Sequence, residues 1–412
     1  MKALILTREY PPHVYGGAGV HVEYLTRELA RHIDVDVRCF GDQDVARDRL
    51  RVRGYEPPAE LLAGAGEPLR STLGTLARCL SFTTDSADAD VVHCHTWYAH
   101  MGGILHRLLF GTPLVISIHS LEPLRPWKRE QLGRGYDMSC WVERTALEMA
   151  DAVIAVSRET ERDVLEHFDV APERISIIPN GIDVDEYRPD TGTEHLQRYG
   201  VPTDRPYVLF VGRVTRQKGI VHLLRAIESF DPGIAVVLCA GAPDTPEIAR
   251  EMESRVAELR SAREHLYWIE EMVPRPAAIQ LYSHAAVFCC PSVYEPFGII
   301  NLEAMACRTP VVASAVGGIR EVVLHEETGL QVPFEPRSDS SSEPRDPGAF
   351  AFDLATAVNR LMRDPGLREK MAEAGRRRVE QHYSWPAIAA RVEQLYRRVA
   401  EAGRRDPPAP SR

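Results

Sequence analysis

The chain has 412 residues, 44% of them apolar, which suffices for two or three domains with packed cores. A formal net charge of -10 argues against general binding to nucleic acid or to an anionic membrane, so an anionic ligand needs a local basic pocket. No apolar run approaches the roughly 18 residues of a membrane span, MKALILT is too short for a signal peptide, and the eight cysteines show no CxxC spacing. A cytoplasmic protein with reduced core cysteines is the expectation.

In chain order, KALILT reads as a strand and VHVEYLTRELARHI as a helix, with Val22, Leu25, Leu29 and Ile33 three and four apart on one stripe. DVRCF, DVVHCH, PLVISIH and DAVIAVS continue a βαβ series with a parallel sheet. The proline, glycine and acidic content of 183–205 suits a linker. A second series follows: strands VLFVGRV, AVVLCAG, LYWIE, AVFCCPS and PVVASAV, with helices VHLLRAIESF, AREMESRVAELRSA and INLEAMAC between them. The fold class is therefore α/β with two Rossmann-like units and a cleft expected between them: 1–185, then 186–383, then a helix over 384–400 carrying Ile388, Val392, Leu395 and Val399 on one face. EPRSDSSSEPRDPGA reads as a loose loop, and 401–412 as a disordered tail.

The most informative segment is PSVYEPFGIINLEAMACRTPVVASAVGG, with two glutamates eight apart. On one helix, eight steps at about 100° would leave them roughly 80° apart, on no common stripe. Pro296 and Gly298 instead suit a turn, which puts Glu295 on a loop above a strand and Glu303 inside a helix starting near Ile299. Unpaired amides at that helix start favour a diphosphate, while the carboxylates can accept hydrogen bonds from sugar hydroxyls.

Other residues extend this picture. Arg213 and Lys218 follow a strand in FVGRVTRQKGI and suit a pyrophosphate whose charge grows as it leaves. Gly16, Gly17 and Gly19 of VYGGAG can bring amides close to a phosphate or form a plain tight turn; the spacing is neither GxGxxG nor a Walker loop. His119 ends a strand, and Arg125, Lys128 and Arg129 beside it form either an acceptor-phosphate site or a solvated basic face. His93, His95 and His100 lack a convergent third ligand, so no metal site is expected. No carboxylate pair is set as a retaining hydrolase needs.

These motifs resemble the retaining glycosyltransferases with two Rossmann-like domains (GT-B, family 4), and over nearly the whole chain the actinobacterial-type glycogen synthase family, whose members include α-maltose-1-phosphate synthases. REYPPHVYGGAGVHVEYL, HTWYAHMGG, GRVTRQKGIVHL, LCAGAPDTPE and PSVYEPFGIINLEAMAC carry the likeness. It implies that Glu295 holds the donor hexose, that the amides of Phe297, Gly298 and Ile299 contact it, and that Glu303 binds the ribose. It further implies that Gly16 and Gly17 cap the donor phosphates, that Arg213 and Lys218 clamp the diphosphate, and that His119 contacts the hexose. The final helix should cross back onto the first domain. The implied donor is ADP-glucose, with glucose 1-phosphate or an α-glucan end as acceptor, transfer with retention at one face, and no cofactor. Where long-known bacterial glycogen synthases carry an HDW motif, this chain has His95, Thr96 and Trp97, so an aspartate-based acceptor role does not carry over. A membrane-associated lipid glycosyltransferase would show a basic amphipathic helix, but Glu23, Arg27, Glu28 and Arg31 mix signs. A dehydrogenase or a binding module would need the dinucleotide fingerprint that is missing. Base preference and oligomeric state, a homo-oligomer included, stay open.

Overall fold

The computed structural model describes residues 1–64, 66–84, 88–338 and 341–405. The chain divides after Gly181 and after Ser384, so that Met1–Gly181 and the C-terminal helix make one compact unit and Ile182–Ser384 the other.

In the first unit, β1 (Lys2–Leu6), β2 (Asp34–Phe40), β3 (Asp44–Arg47), β4 (Leu50–Tyr55), β5 (Val91–His95), β6 (Leu114–Ile118), β7 (Ala152–Ala155) and β8 (Ile175–Ile177) form one sheet in the order β3-β4-β2-β1-β5-β6-β7-β8. Only the β3–β4 pair is antiparallel. Side chains alternate across a strand, so Ala3 and Ile5 face one core layer while Leu4 and Leu6 face another. Both layers are covered, which is why VVHCH and LVISI are buried throughout. The β3–β4 edge escapes the sequence reading because its run LRVRGY is rich in arginine and buries only Val52.

The helix Gly17–Leu29 places Val22, Leu25 and Leu29 on the first layer; Ile33, just beyond it, joins them. The C-terminal helix Trp385–Arg405 lies on the same layer through Ile388, Val392, Leu395 and Val399. Trp385 stacks on Tyr24 at 5.7 Å with the rings 5° apart, and the Tyr396 hydroxyl meets His93 Nδ1 at 2.6 Å. This helix runs through Arg405, so the expected tail from 401 is corrected: Arg404 reaches Asp90 at 2.6 Å and Gly403 packs near Pro113, which anchors the last turn. Residues 406–412 lie outside the described residues.

In the second unit, β9 (Tyr207–Arg213), β10 (Ala235–Gly241), β11 (Leu266–Ile269), β12 (Val287–Cys290), β13 (Val311–Ser314) and β14 (Gly329–Val332) are all parallel, in the order β11-β10-β9-β12-β13-β14. The helices Ile220–Ile227 and Pro347–Arg363 bury Leu223, Ile227, Leu354 and Val358 in one core with Val208, Phe210 and Val236. The expected loose loop is corrected in part: Pro336–Ser338 and Ser341–Pro344 pair as an antiparallel ribbon, because an exposed two-stranded ladder needs few apolar residues. Residues 339 and 340 between them lie outside the described residues.

Trp385 is almost fully buried, so Trp385→Ala should destabilise the first unit by about 3–5 kcal/mol. Denaturant unfolding followed by circular dichroism measures this, and a loss well under 1 kcal/mol would show that the C-terminal helix is not part of that core.

Candidate active site

In an open parallel sheet, ligands sit beyond the carboxyl ends of the strands where strand order reverses. In the second unit that point lies between β9 and β12. Arg213 is the last residue of β9, Lys218 lies on the loop after it, and Glu295 lies on the loop after β12. The two loops are held together by their backbones. Val293 N–H donates to the Gln217 carbonyl at 3.0 Å, and Gly219, at φ +64°, lies so close that a Cβ there would stand 1.9 Å from the Pro291 carbonyl oxygen. That approach brings Lys218 Nζ to 2.6 Å from Glu295 Oε2, joining residues 77 apart in sequence. Ser292 Oγ donates to the same oxygen at 3.4 Å. Arg213 pairs with Asp244, on the loop after β10, at 2.6 Å.

Gly298, at φ +95°, caps the helix Ile299–Ala306, so the strand, turn and helix expected around Glu295 and Glu303 are present. Phe297 is buried and packs edge-on against Tyr383, leaving its amide beside the helix start. Both oxygens of Glu303 accept hydrogen bonds, from Tyr187 at 3.2 Å and Tyr282 at 2.9 Å. Burial raises its carboxyl above the usual value, with the two hydroxyls opposing. A carboxylate has about four lone-pair positions, so it keeps capacity for a ligand hydroxyl. The tyrosines and Asp244 were not foreseen; Asp244 had a signal in GAPDTPE, directly after a strand, while Tyr187 and Tyr282 had none.

The first unit reverses strand order between β1 and β5, and the glycine turn follows β1. Gly16 is extended at the start of the helix that Gly17 begins. Glu9 Oε2 accepts from the Gly16 amide at 2.7 Å and from the Tyr15 amide at 2.8 Å, so a carboxylate sits on the turn where the sequence suggested a phosphate. Each residue of the basic group near His119 has a partner within the first unit. Arg125 bonds Ser120 Oγ at 3.0 Å and Glu122 Oε1 at 3.4 Å, Lys128 bonds Gln131 at 2.9 Å, and exposed Arg129 forms a bidentate pair with Asp137. Glu122 is itself buried and accepts from Ser139 Oγ, which ties Arg125 into an internal network.

The histidines are arranged unlike the sequence expectation. His93 spends both ring nitrogens internally, on Tyr396 and on Ser117 Oγ at 2.8 Å. His95 Nδ1 and His119 Nε2 share a hydrogen bond of 3.0 Å, and His21 from the first helix stands beside both. The missing third ligand is thus supplied from two other elements, and one ring nitrogen each of His21, His95 and His119 falls within 4.8 Å of the others. Burial pushes His21 down to about 4, His100 to about 3 and His106 to about 4, and holds His93, His95 and His119 well below the usual imidazole value. Among the described residues no helix is long and apolar enough to cross a membrane.

Folding keeps these imidazoles neutral, so the unfolded chain binds more protons in acid. Stability is complete above the unfolded value of 6.5 and drains as pH falls from there; for His21, down to about 4, the loss amounts to about 3 kcal/mol. Thermal unfolding should show the melting temperature dropping between pH 7 and pH 5. A flat profile would mean that the imidazoles are solvated.

Two family models match: one described as Glycosyltransferase Family 4 over residues 15–186, and one described as Glycosyl transferases group 1 over 192–344. An α-maltose-1-phosphate synthase of Mycolicibacterium smegmatis is 47% identical over 404 residues, 97% of this chain and all of that one. One from Mycobacterium tuberculosis is 45% identical over the same span. Among solved structures, sucrose-phosphate synthase from Thermosynechococcus elongatus superposes with a TM-score of 0.77 at 27% identity, covering 98% of this chain and 100% of that one. Full-length identity of this order, on two Rossmann-like units with the paired glutamates at a strand-order reversal, makes the chain a nucleotide-sugar glycosyltransferase of the GT-B fold: it belongs to family 4, in the group that contains the α-maltose-1-phosphate synthases.

Proposed function

We propose that this enzyme is a retaining α-1,4-glucosyltransferase that moves glucose from ADP-glucose to glucose 1-phosphate, forming α-maltose 1-phosphate for α-glucan synthesis. The carrying observation is identity of 45–47%, over 97% of the chain, with enzymes named for that product. The site chemistry supports a diphosphate-linked donor. Arg213 ends β9 and Lys218 lies on the loop after it, each with an internal carboxylate partner, so an incoming diphosphate exchanges one set of anionic oxygens for another.

In this reading Glu295, released from Lys218, accepts hydrogen bonds from the glucose hydroxyls, with the Phe297, Gly298 and Ile299 amides beside it. Glu303 takes the ribose hydroxyls on its remaining lone pairs. Gly16 and Gly17 offer amides to the donor phosphates once Glu9 gives way, and His119, neutral, donates to or accepts from the hexose. The acceptor oxygen bonds to the glucose anomeric carbon on the face from which the diphosphate departs, and its proton passes to the leaving phosphate oxygen. Arg213 and Lys218 stabilise the charge that develops there, a fixed response that needs no reorganisation. No cofactor is called on.

The internal ties of Arg125, Lys128 and Arg129 favour a second reading, extension of the non-reducing end of an α-1,4-glucan, which requires no acceptor-phosphate site. A membrane-associated lipid glycosyltransferase is the least supported of the three.

Mass analysis of products from ADP-glucose, with glucose 1-phosphate or glycogen as sole acceptor and UDP-glucose as donor control, tests the assignment. A disaccharide phosphate is expected; growth of glycogen alone would replace the first reading by the second. Glu295→Ala and Lys218→Ala should each lower turnover by about 100-fold or more with unchanged circular dichroism. Near-normal turnover in either variant would remove that residue from the site.

A further inference from the structure

The three-histidine cluster has a shape that packing alone does not require. Ring centroids are 5.4 Å apart for His21 and His95, 4.7 Å for His21 and His119, and 5.3 Å for His95 and His119. A tetrahedral ion with metal–nitrogen bonds of about 2.0–2.1 Å places its imidazole nitrogens about 3.3 Å apart and the ring centroids about 5 Å apart. The rings already stand at that spacing, and the His95–His119 nitrogens, at 3.0 Å, need only open slightly. With His95 Nδ1 and His119 Nε2 as the facing pair, His21 Nε2 is buried without a hydrogen-bond partner. Leaving such atoms unmet is costly, and a cation is one way to meet them.

The tautomer is prepared as well. Asn180 Oδ1 accepts from His21 Nδ1 at 2.6 Å, which fixes the proton on Nδ1 and leaves a lone pair on Nε2. Neutral imidazole is the ligating form, and burial keeps all three neutral at pH 7. His93 is excluded, since both its nitrogens are engaged. Three nitrogen ligands suit Zn²⁺ and its neighbours rather than Mg²⁺ or Ca²⁺, which take oxygen ligands, and they leave a fourth position for water, hydroxide or an oxyanion.

We propose that His21, His95 and His119 form a binding site for one borderline divalent cation of the Zn²⁺ class, and that this ion competes with the donor sugar for His119. The competition rests on the proposed role of His119; the ion site does not.

The full-length enzyme, freed of metal, is titrated with Co²⁺. One equivalent should give the intense visible bands of a tetrahedral ion, displaced by Zn²⁺ and indifferent to Mg²⁺; a pale octahedral spectrum or no binding overturns the site. His21→Gln and His95→Gln should abolish the bands, His100→Gln should keep them, and Asn180→Ala should weaken binding by about 10–100-fold. Should the histidine variants fail to fold, X-ray absorption on the Zn²⁺-loaded wild type decides: three imidazoles support the site, and fewer overturn it. Transfer activity followed through the Co²⁺ titration should fall in step with the bands, and full activity in the loaded enzyme overturns the competition.

Discussion

Strand order reverses beside the first strand of each sheet, and that reversal decides where charge and chemistry gather. In the second unit it places the loops after β9 and β12 side by side, close enough that only glycine fits at 219. The Lys218–Glu295 pair follows from that contact. In the first unit the same arrangement puts the glycine turn after β1 near the end of β5, where His95 meets His119, the first residue after β6. Connections in parallel sheets run behind the sheet through helices, so the open carboxyl ends are left free for function.

A second theme is internal neutralisation. Glu9 sits on the Gly16 amide, Asp244 on Arg213 and Glu295 on Lys218. Each group suited to an anion already holds one. Partly buried cations without counterions would be expensive to keep out of water, so the fold supplies carboxylates that a ligand must displace. Selectivity benefits from this, because a weak anion gains nothing by replacing a well-placed carboxylate, whereas a diphosphate with several oxygens and two charges can. The histidines follow a different rule. They are buried as neutral groups, and their polarity is met only in part, by one another and by Asn180, Ser117 and Tyr396, since His21 Nε2 has no hydrogen-bond partner.

The strands and helices that carry the site were legible because parallel strands buried on both faces are unbroken apolar runs, and the helix stripe at Val22, Leu25 and Leu29 has the right period. The β3–β4 edge and the ribbon at 336–344 were not, since edge strands with polar or charged faces show no such run. The last helix was legible in its apolar face but not in its length, because the contacts of Gly403 and Arg404 that anchor its end lie in another part of the chain.

The sequence by itself determined the local chemistry: Glu295 on a turn, Glu303 in a helix, Arg213 and Lys218 at a strand end, each legible because proline, glycine and apolar period act over a few residues. Tertiary structure decided who pairs with whom. Asp244 on Arg213, the tyrosines on Glu303 and the meeting of His21 with His95 and His119 all join residues from separate elements, and nothing local specifies them. The basic residues at 125–129 show the same limit from the other side. Close in sequence, they take different partners: Arg125 the Ser120 hydroxyl and the Glu122 carboxylate, Lys128 the amide oxygen of Gln131, and Arg129 the Asp137 carboxylate.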